Sequence, residues 1–172
     1  MNILYEEVDL TEDCLSRAAK YAEDIRFVKS IRGDGGTESR KPVGAIGETV
    51  LIDYLNGKEV EVIDNREGQD ATKYDLLVNG KKVEVKTKDR TVAPKPYYEC
   101  SVADFNTEQD CDEYAFVSVL NNMKEAWYLG KISKSDFYKA AVFHKKGEVD
   151  PANDFTFKAD CFNIPVWKLI CS

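Results

Sequence analysis

The sequence predicts one α/β domain over residues 1–172, with a mixed central β-sheet flanked by α-helices. Three observations predict it. Apolar residues recur at helical spacing over residues 10–31 and again over 43–56. Two short strand-like runs, Tyr74–Val78 and Val83–Thr87, flank Asn79-Gly80. Two longer apolar runs, Tyr114–Leu120 and Ala126–Ile132, follow with a turn at Asn121-Asn122 between them.

In the first helix, Leu15, Ala18, Ala19, Ala22, Ile25 and Val28 make the apolar stripe. Asp9, with Glu12 three residues on, reads as its start. It ends by Ile31, before Gly33-Asp34-Gly35-Gly36. No Gly-Lys-Ser/Thr follows those glycines, so the loop is not a phosphate-cradling P-loop. It reads as a connector to Pro42, with Arg32, Arg40 and Lys41 as candidate DNA contacts. The second helix carries Val43, Ile46, Val50, Leu51, Tyr54 and Leu55 on one face, with Gly57 placed to end it. Glu48 falls near its start, where a carboxylate is electrostatically favoured.

Val60–Ile63 reads as the first core strand, and residues 64–73 as a polar loop. Asn79-Gly80 then supplies a type I′ turn, which needs positive φ at both central positions. Side chains alternate along the second hairpin strand. Val83, Val85 and Thr87 share one face, and Glu84, Lys86 and Lys88 the other. Asp75, early in the partner strand, lies across from the Glu84–Lys86 region. Further on, Tyr97–Val102 suits a short strand after the break at Pro94 and Pro96, with Tyr97 and Tyr98 able to stack on bases. Tyr114–Leu120 suits a strand buried on both faces. Ser133 begins a helix over 134–142. Residues 148–160 read as irregular, and Phe162–Ile170 as an edge strand or short helix.

Composition bounds the function classes. A hydrophobic content of 43% and a charged content of 32% suit a soluble globular chain. No basic-then-apolar leader opens the sequence and no apolar run reaches membrane-spanning length, so a cytoplasmic location is expected. Five scattered cysteines and a single histidine, His144, argue against a disulfide framework, a zinc site or an iron–sulfur cluster. They also argue against a His-based triad. A net charge of −7 argues against nonspecific coating of nucleic acid. The charge is uneven, however: residues 81–95 hold six basic side chains against two acidic ones.

Asp75 followed by Glu84-Val85-Lys86, with Gly44-Ala45-Ile46-Gly47-Glu48 opening a helix upstream, resembles the signature of the PD-(D/E)XK nuclease superfamily. The resemblance covers about 47 residues, from Gly44 to Arg90. Tyr74 stands where the family usually has Pro. The resemblance implies a restriction-endonuclease-like fold and a Mg²⁺- or Mn²⁺-dependent DNA endonuclease. Its catalytic set would be Glu48, Asp75, Glu84 and Lys86. Asp75, Glu84 and the Val85 backbone carbonyl would ligate metal, with Glu48 acting directly or through water. Lys86 would orient or deprotonate the attacking water. Lys81, Lys82, Lys88 and Arg90 are the candidate phosphate-positioning residues.

No separate DNA-reading segment is visible. That favours structure-directed cleavage in repair, recombination or junction resolution, and it leaves a homodimer open. An RNA substrate stays open as well. The alternative from another class is a catalytically silent nuclease-like module that binds nucleic acid or a protein partner.

Overall fold

A computed structural model describes residues 5–31, 42–67, 73–106, 109–151 and 154–171; for residues 24–31 and 106 it describes the helical backbone only. The Gly33–Gly36 connector with Arg32, Arg40 and Lys41 lies outside these residues, as does part of the 64–73 loop.

Eleven strands and three α-helices form a mixed α/β fold among the described residues. Strand β1 (Glu6–Asp9) leads into α1 (Glu12–Ile31) and α2 (Val43–Gly57). Then come β2 (Val62–Asp64), β3 (Leu76–Val78), β4 (Lys81–Arg90), β5 (Glu99–Ala103), β6 (Glu113–Leu120) and β7 (Glu125–Ser133). Helix α3 (Lys134–Ala140) is followed by β8 (Val142–His144), β9 (Val149–Asp150), β10 (Phe155–Thr156) and β11 (Cys161–Pro165). The main sheet runs β1-β7-β6-β4-β3-β2, and a second sheet runs β5-β11-β8. In the main sheet only β4 and β6 pair in parallel, which makes it mixed as expected.

The alternation read from the sequence decides what lies on each face of this sheet. Val83 and Val85 of β4, Ala115, Val117 and Val119 of β6 and Tyr128 of β7 pack with Ile46, Val50 and Leu51 of α2 and with Cys14 and Ala18 of α1. Tyr114 and Phe116 of β6 and Leu129 of β7 face the other way. They pack with Phe137 of α3 and with Val102 and Ile164 of the second sheet. All eight residues of β6 are buried, because each face of that strand meets a layer. Burying a large apolar side chain contributes about 1.5–3 kcal/mol, so this double-sided strand anchors both cores.

Several elements differ from expectation. The first helix is capped by Thr11, whose Oγ1 accepts the Cys14 N–H at 3.1 Å, and not by Asp9. Asp9 instead ends β1, a short exposed edge strand that carries no apolar pattern to announce it. Gly57 is the last helical residue, and the positive φ that ends the helix belongs to Glu59, at 57°. The strand expected at Val60–Ile63 begins at Val62 and is an outer strand, with Ile63 exposed. The segment expected at the C-terminal edge is the middle strand of the second sheet, and Pro165 closes it. Part of the expected irregular region forms the β9–β10 hairpin. Across the described residues, no helix is long and apolar enough to cross a membrane.

Candidate active site

The β3–β4 hairpin forms as its turn residues dictate. Asn79 has φ 48° and Gly80 φ 78°, the left-handed pair of a type I′ turn. Leu76 pairs with Val83 and Val78 with Lys81. The strands are unequal, however: β3 has three residues and β4 has ten. β4 therefore runs past its partner and leaves a notch in the sheet beside Val85. The Asp75 N–H donates to the Val83 carbonyl at 3.0 Å, which closes the ladder. One step on, the Val85 N–H donates to Asp75 Oδ2 at 2.8 Å. Because N–H and C=O of one strand residue point to the same side, the Val85 carbonyl opens into this notch beside Asp75.

Glu84 and Lys86 share the face away from α2, as their alternation requires. Glu84 is 7% exposed. Lys86 Nζ lies 2.8 Å from Glu84 Oε1, and Gln109 Nε2 donates to the same oxygen at 2.7 Å. Lys86 also donates to Gln109 Oε1 at 3.1 Å, so the three side chains form a closed ring of hydrogen bonds. Gln109 precedes β6 in a loop and follows no pattern that sequence reading can detect.

Glu48 approaches from α2. Gly47 makes that approach close: a Cβ there would fall 1.9 Å from Thr87 Oγ1 on β4, so only glycine permits this helix–strand distance. Gly44, by contrast, faces open space. The Arg66 guanidinium holds Asp64 through Nε and Nη2, each at 2.9 Å, and donates to Thr49 Oγ1 at 3.0 Å. Its plane stacks over Tyr21 at 4.2 Å. Nη1 stands 3.6 Å from Glu48 Oε2, too far for a hydrogen bond, so that oxygen is buried without a donor. Arg66, like Gln109, sits in a loop, where no local pattern announces it.

The electrostatics follow from this crowding. Burial raises the Asp75 carboxyl well above its ordinary range, and the nearby Glu48 and Glu84 raise it further. Burial likewise raises Glu48, with Arg66 opposing and Glu84 reinforcing. Three carboxylates that repel one another in a partly desolvated notch prefer a proton or a cation among them. Among the described residues, no three His, Cys, Asp or Glu side chains are grouped closely enough to hold a metal by themselves. The donors present are nonetheless hard oxygens: two carboxylates, an undonated Glu48 oxygen and an open backbone carbonyl. Such a set fits Mg²⁺, which takes one or two carboxylates and keeps several waters.

The candidate phosphate-binding residues separate into two groups. Lys81 pairs with Glu113 at 3.0 Å and Lys82 with Asp110 at 2.8 Å, both at the turn end of β4. Lys88 and Arg90 lie at the other end; from Lys81 to Lys88 the strand climbs about 23 Å. Arg90 is anchored on Ser118 Oγ at 2.8 Å and on the Glu99 carbonyl at 3.1 Å, and it stacks over Tyr98. Lys88 is exposed and lies on a concave part of the surface. Those surroundings, and then Arg90, lower its ammonium pKa. His144 stacks on Phe157 at 4.4 Å in β8, a packing role outside the site. All five cysteines are free thiols, and all but Cys171 are buried.

No protein-family model matches this chain, and no curated protein matches it.

Proposed function

We propose that the protein is a Mg²⁺- or Mn²⁺-dependent nuclease that hydrolyses phosphodiester bonds in DNA at the notch beside Val85. The observation that carries this reading is the placement of Asp75 across from Glu84-Val85-Lys86. One buried carboxylate grips the Val85 N–H at 2.8 Å, while the next side chains along β4 present a carboxylate and an ammonium 2.8 Å apart. Asp75, Glu84 and the Val85 carbonyl would hold the ion, with Glu48 at its margin. When bound, it supplies a Lewis acid that offsets the charge of a phosphate and acidifies its water. The chain's own residues do the rest. Lys86, restrained by Glu84 and Gln109, holds an ammonium where negative charge develops in the transition state. Gln109 fixes the Glu84 carboxylate, and Arg66 fixes the Glu48 side of the notch. Structure-directed cleavage in repair, recombination or junction resolution remains the preferred biological setting, in the cytoplasm and with a homodimer compatible.

The competing reading is a catalytically silent module that binds nucleic acid or a protein. What favours it is that, among the described residues, no three His, Cys, Asp or Glu side chains are grouped closely enough to hold a metal by themselves. Lys86→Ala separates the two. It leaves both carboxylates in place and removes the adjoining positive charge. The proposal expects Mn²⁺ binding, read by calorimetry, to persist or tighten while DNA cleavage falls about a hundredfold or more. A Lys86→Ala protein that melts normally and cuts at the wild-type rate would remove the nuclease assignment.

A further inference from the structure

Lys86 also lines a cleft of about 860 Å³ that runs along β4 away from the notch. Its floor is β4 from Lys86 to Arg90, and its walls come from β5, β11 and the β9–β10 hairpin. Three features of this cleft point to one ligand chemistry. Lys88, on the floor, makes no ion pair among the described residues and offers a cation. Tyr97, at the rim, is 64% exposed, packs at right angles to Tyr98 and carries the Lys95 ammonium 5.8 Å from its ring centroid, so an aromatic ring and a second cation stand together there. Asn163, in the wall, is 3% exposed, and its Oδ1 is buried with no hydrogen-bond partner, while its Nδ2 is spent on Glu99 at 3.0 Å. The complement is an anion, a flat ring and a hydrogen-bond donor in one molecule, which a nucleotide supplies through phosphate, base and base N–H.

We infer that this cleft is the path of a single, unpaired DNA strand leading to the notch. Two arguments favour a single strand over a duplex. A volume of 860 Å³ lies within the range of small-molecule pockets, a slot for one strand. An unpaired base also brings its ring N–H to Asn163, whereas a duplex leaves only the amino hydrogens at its groove edges. Asp89 lies on the floor itself and Glu99 and Asp150 in the walls, so attraction centres on Lys88 and Arg90. This inference rests on the nuclease reading for its purpose and deepens it: the substrate is single-stranded DNA, or a flap or overhang with an unpaired end.

The test is binding in EDTA, where no cleavage is required. A labelled oligothymidylate of roughly 15 nucleotides, within the usual range for single-strand binders, is compared with a duplex of equal length by fluorescence anisotropy. The single strand is expected to bind at least about tenfold tighter. Tyr97→Ala should weaken it by about 5- to 150-fold, the worth of one stacked base, and Tyr97→Phe should restore it. Lys88→Ala should flatten the salt dependence by about 0.7 in logarithmic slope. Tyr97 is exposed, so its loss leaves the fold intact. Equal or tighter duplex binding, or a Tyr97→Ala protein that binds as wild type, would overturn the inference. Strand binding that follows these expectations in a protein that never cuts DNA with Mg²⁺ would instead overturn the nuclease reading alone.

Discussion

At the scale of single residues, the site is defined by carboxylates held where they repel. Asp75 is pushed up to about 8 and Glu48 to about 7, both above the ordinary carboxylate range near 4. Raised folded-state values mean that the metal-free fold prefers the protonated groups. Their contribution to stability is fullest below the unfolded values and is lost as pH rises through the folded ones. Protein stripped of divalent ions should therefore melt higher as pH falls from above the Asp75 value to below that of Glu48. Asp75→Asn should raise the melting temperature at the upper end and flatten the profile, by about 2–4 °C for each kcal/mol of repulsion relieved. Calorimetric melts across pH check this, and a wild-type profile that rises with pH would contradict it. Glu84 and Lys86 are placed on one face by strand alternation, and Asp75 is placed across from them by the Asn79-Gly80 turn; their role is implied only by the resemblance. Arg66 and Gln109 were not. Each comes from a loop, and a loop's partners are set by tertiary approach and not by local spacing.

At the scale of elements, the hairpin and the two helices follow from the sequence because their signals are local. Asn79-Gly80 dictates the turn, and the valines of β4 dictate its inward face. The second sheet was hidden for the opposite reason. β11 pairs with β5, about 60 residues earlier, and with β8; the sequence suggests strands near β5 and β11 but holds no local signal for their pairing. β1 escaped notice because an edge strand with one partner needs no apolar face. The upstream glycines can now be told apart. Gly47→Ala places a methyl group against Thr87 and should cost about 1–3 kcal/mol as the helix shifts from β4. Because Glu48 rides on the same turn, activity should fall as well. Gly44→Ala meets open space and should be neutral or slightly stabilising. Thermal melts of the two variants check the contrast, and equal effects would show that the close approach of α2 to β4 is not what Gly47 provides.

At the scale of the whole molecule, an acidic chain of net charge −7 carries a basic stretch along β4 whose two ends differ. Lys81 and Lys82 are neutralised by Glu113 and Asp110, while Lys88 and Arg90 face the cleft that begins at Lys86. Long-range attraction of DNA is therefore weak, and whatever is bound is bound locally. A cysteine-held zinc or iron is not expected. Burial pushes the thiols of Cys14 and Cys111 up to about 11 and that of Cys100 to about 12, which disfavours the thiolate that zinc or iron needs. Elemental analysis of protein purified without oxygen should find neither metal at one per chain, and either one at that ratio would contradict the reading.

The central claim is that the notch of Glu48, Asp75, Glu84 and Lys86 hydrolyses DNA with a divalent cation. The most direct measurement is incubation of the purified protein with labelled single-stranded, flapped, four-way and duplex DNA in Mg²⁺, Mn²⁺ or EDTA. The account predicts cleavage of at least one form with Mg²⁺ or Mn²⁺, preferentially of those with an unpaired strand, and none with EDTA. No cleavage of any form, or cleavage that chelation leaves unchanged, would contradict it.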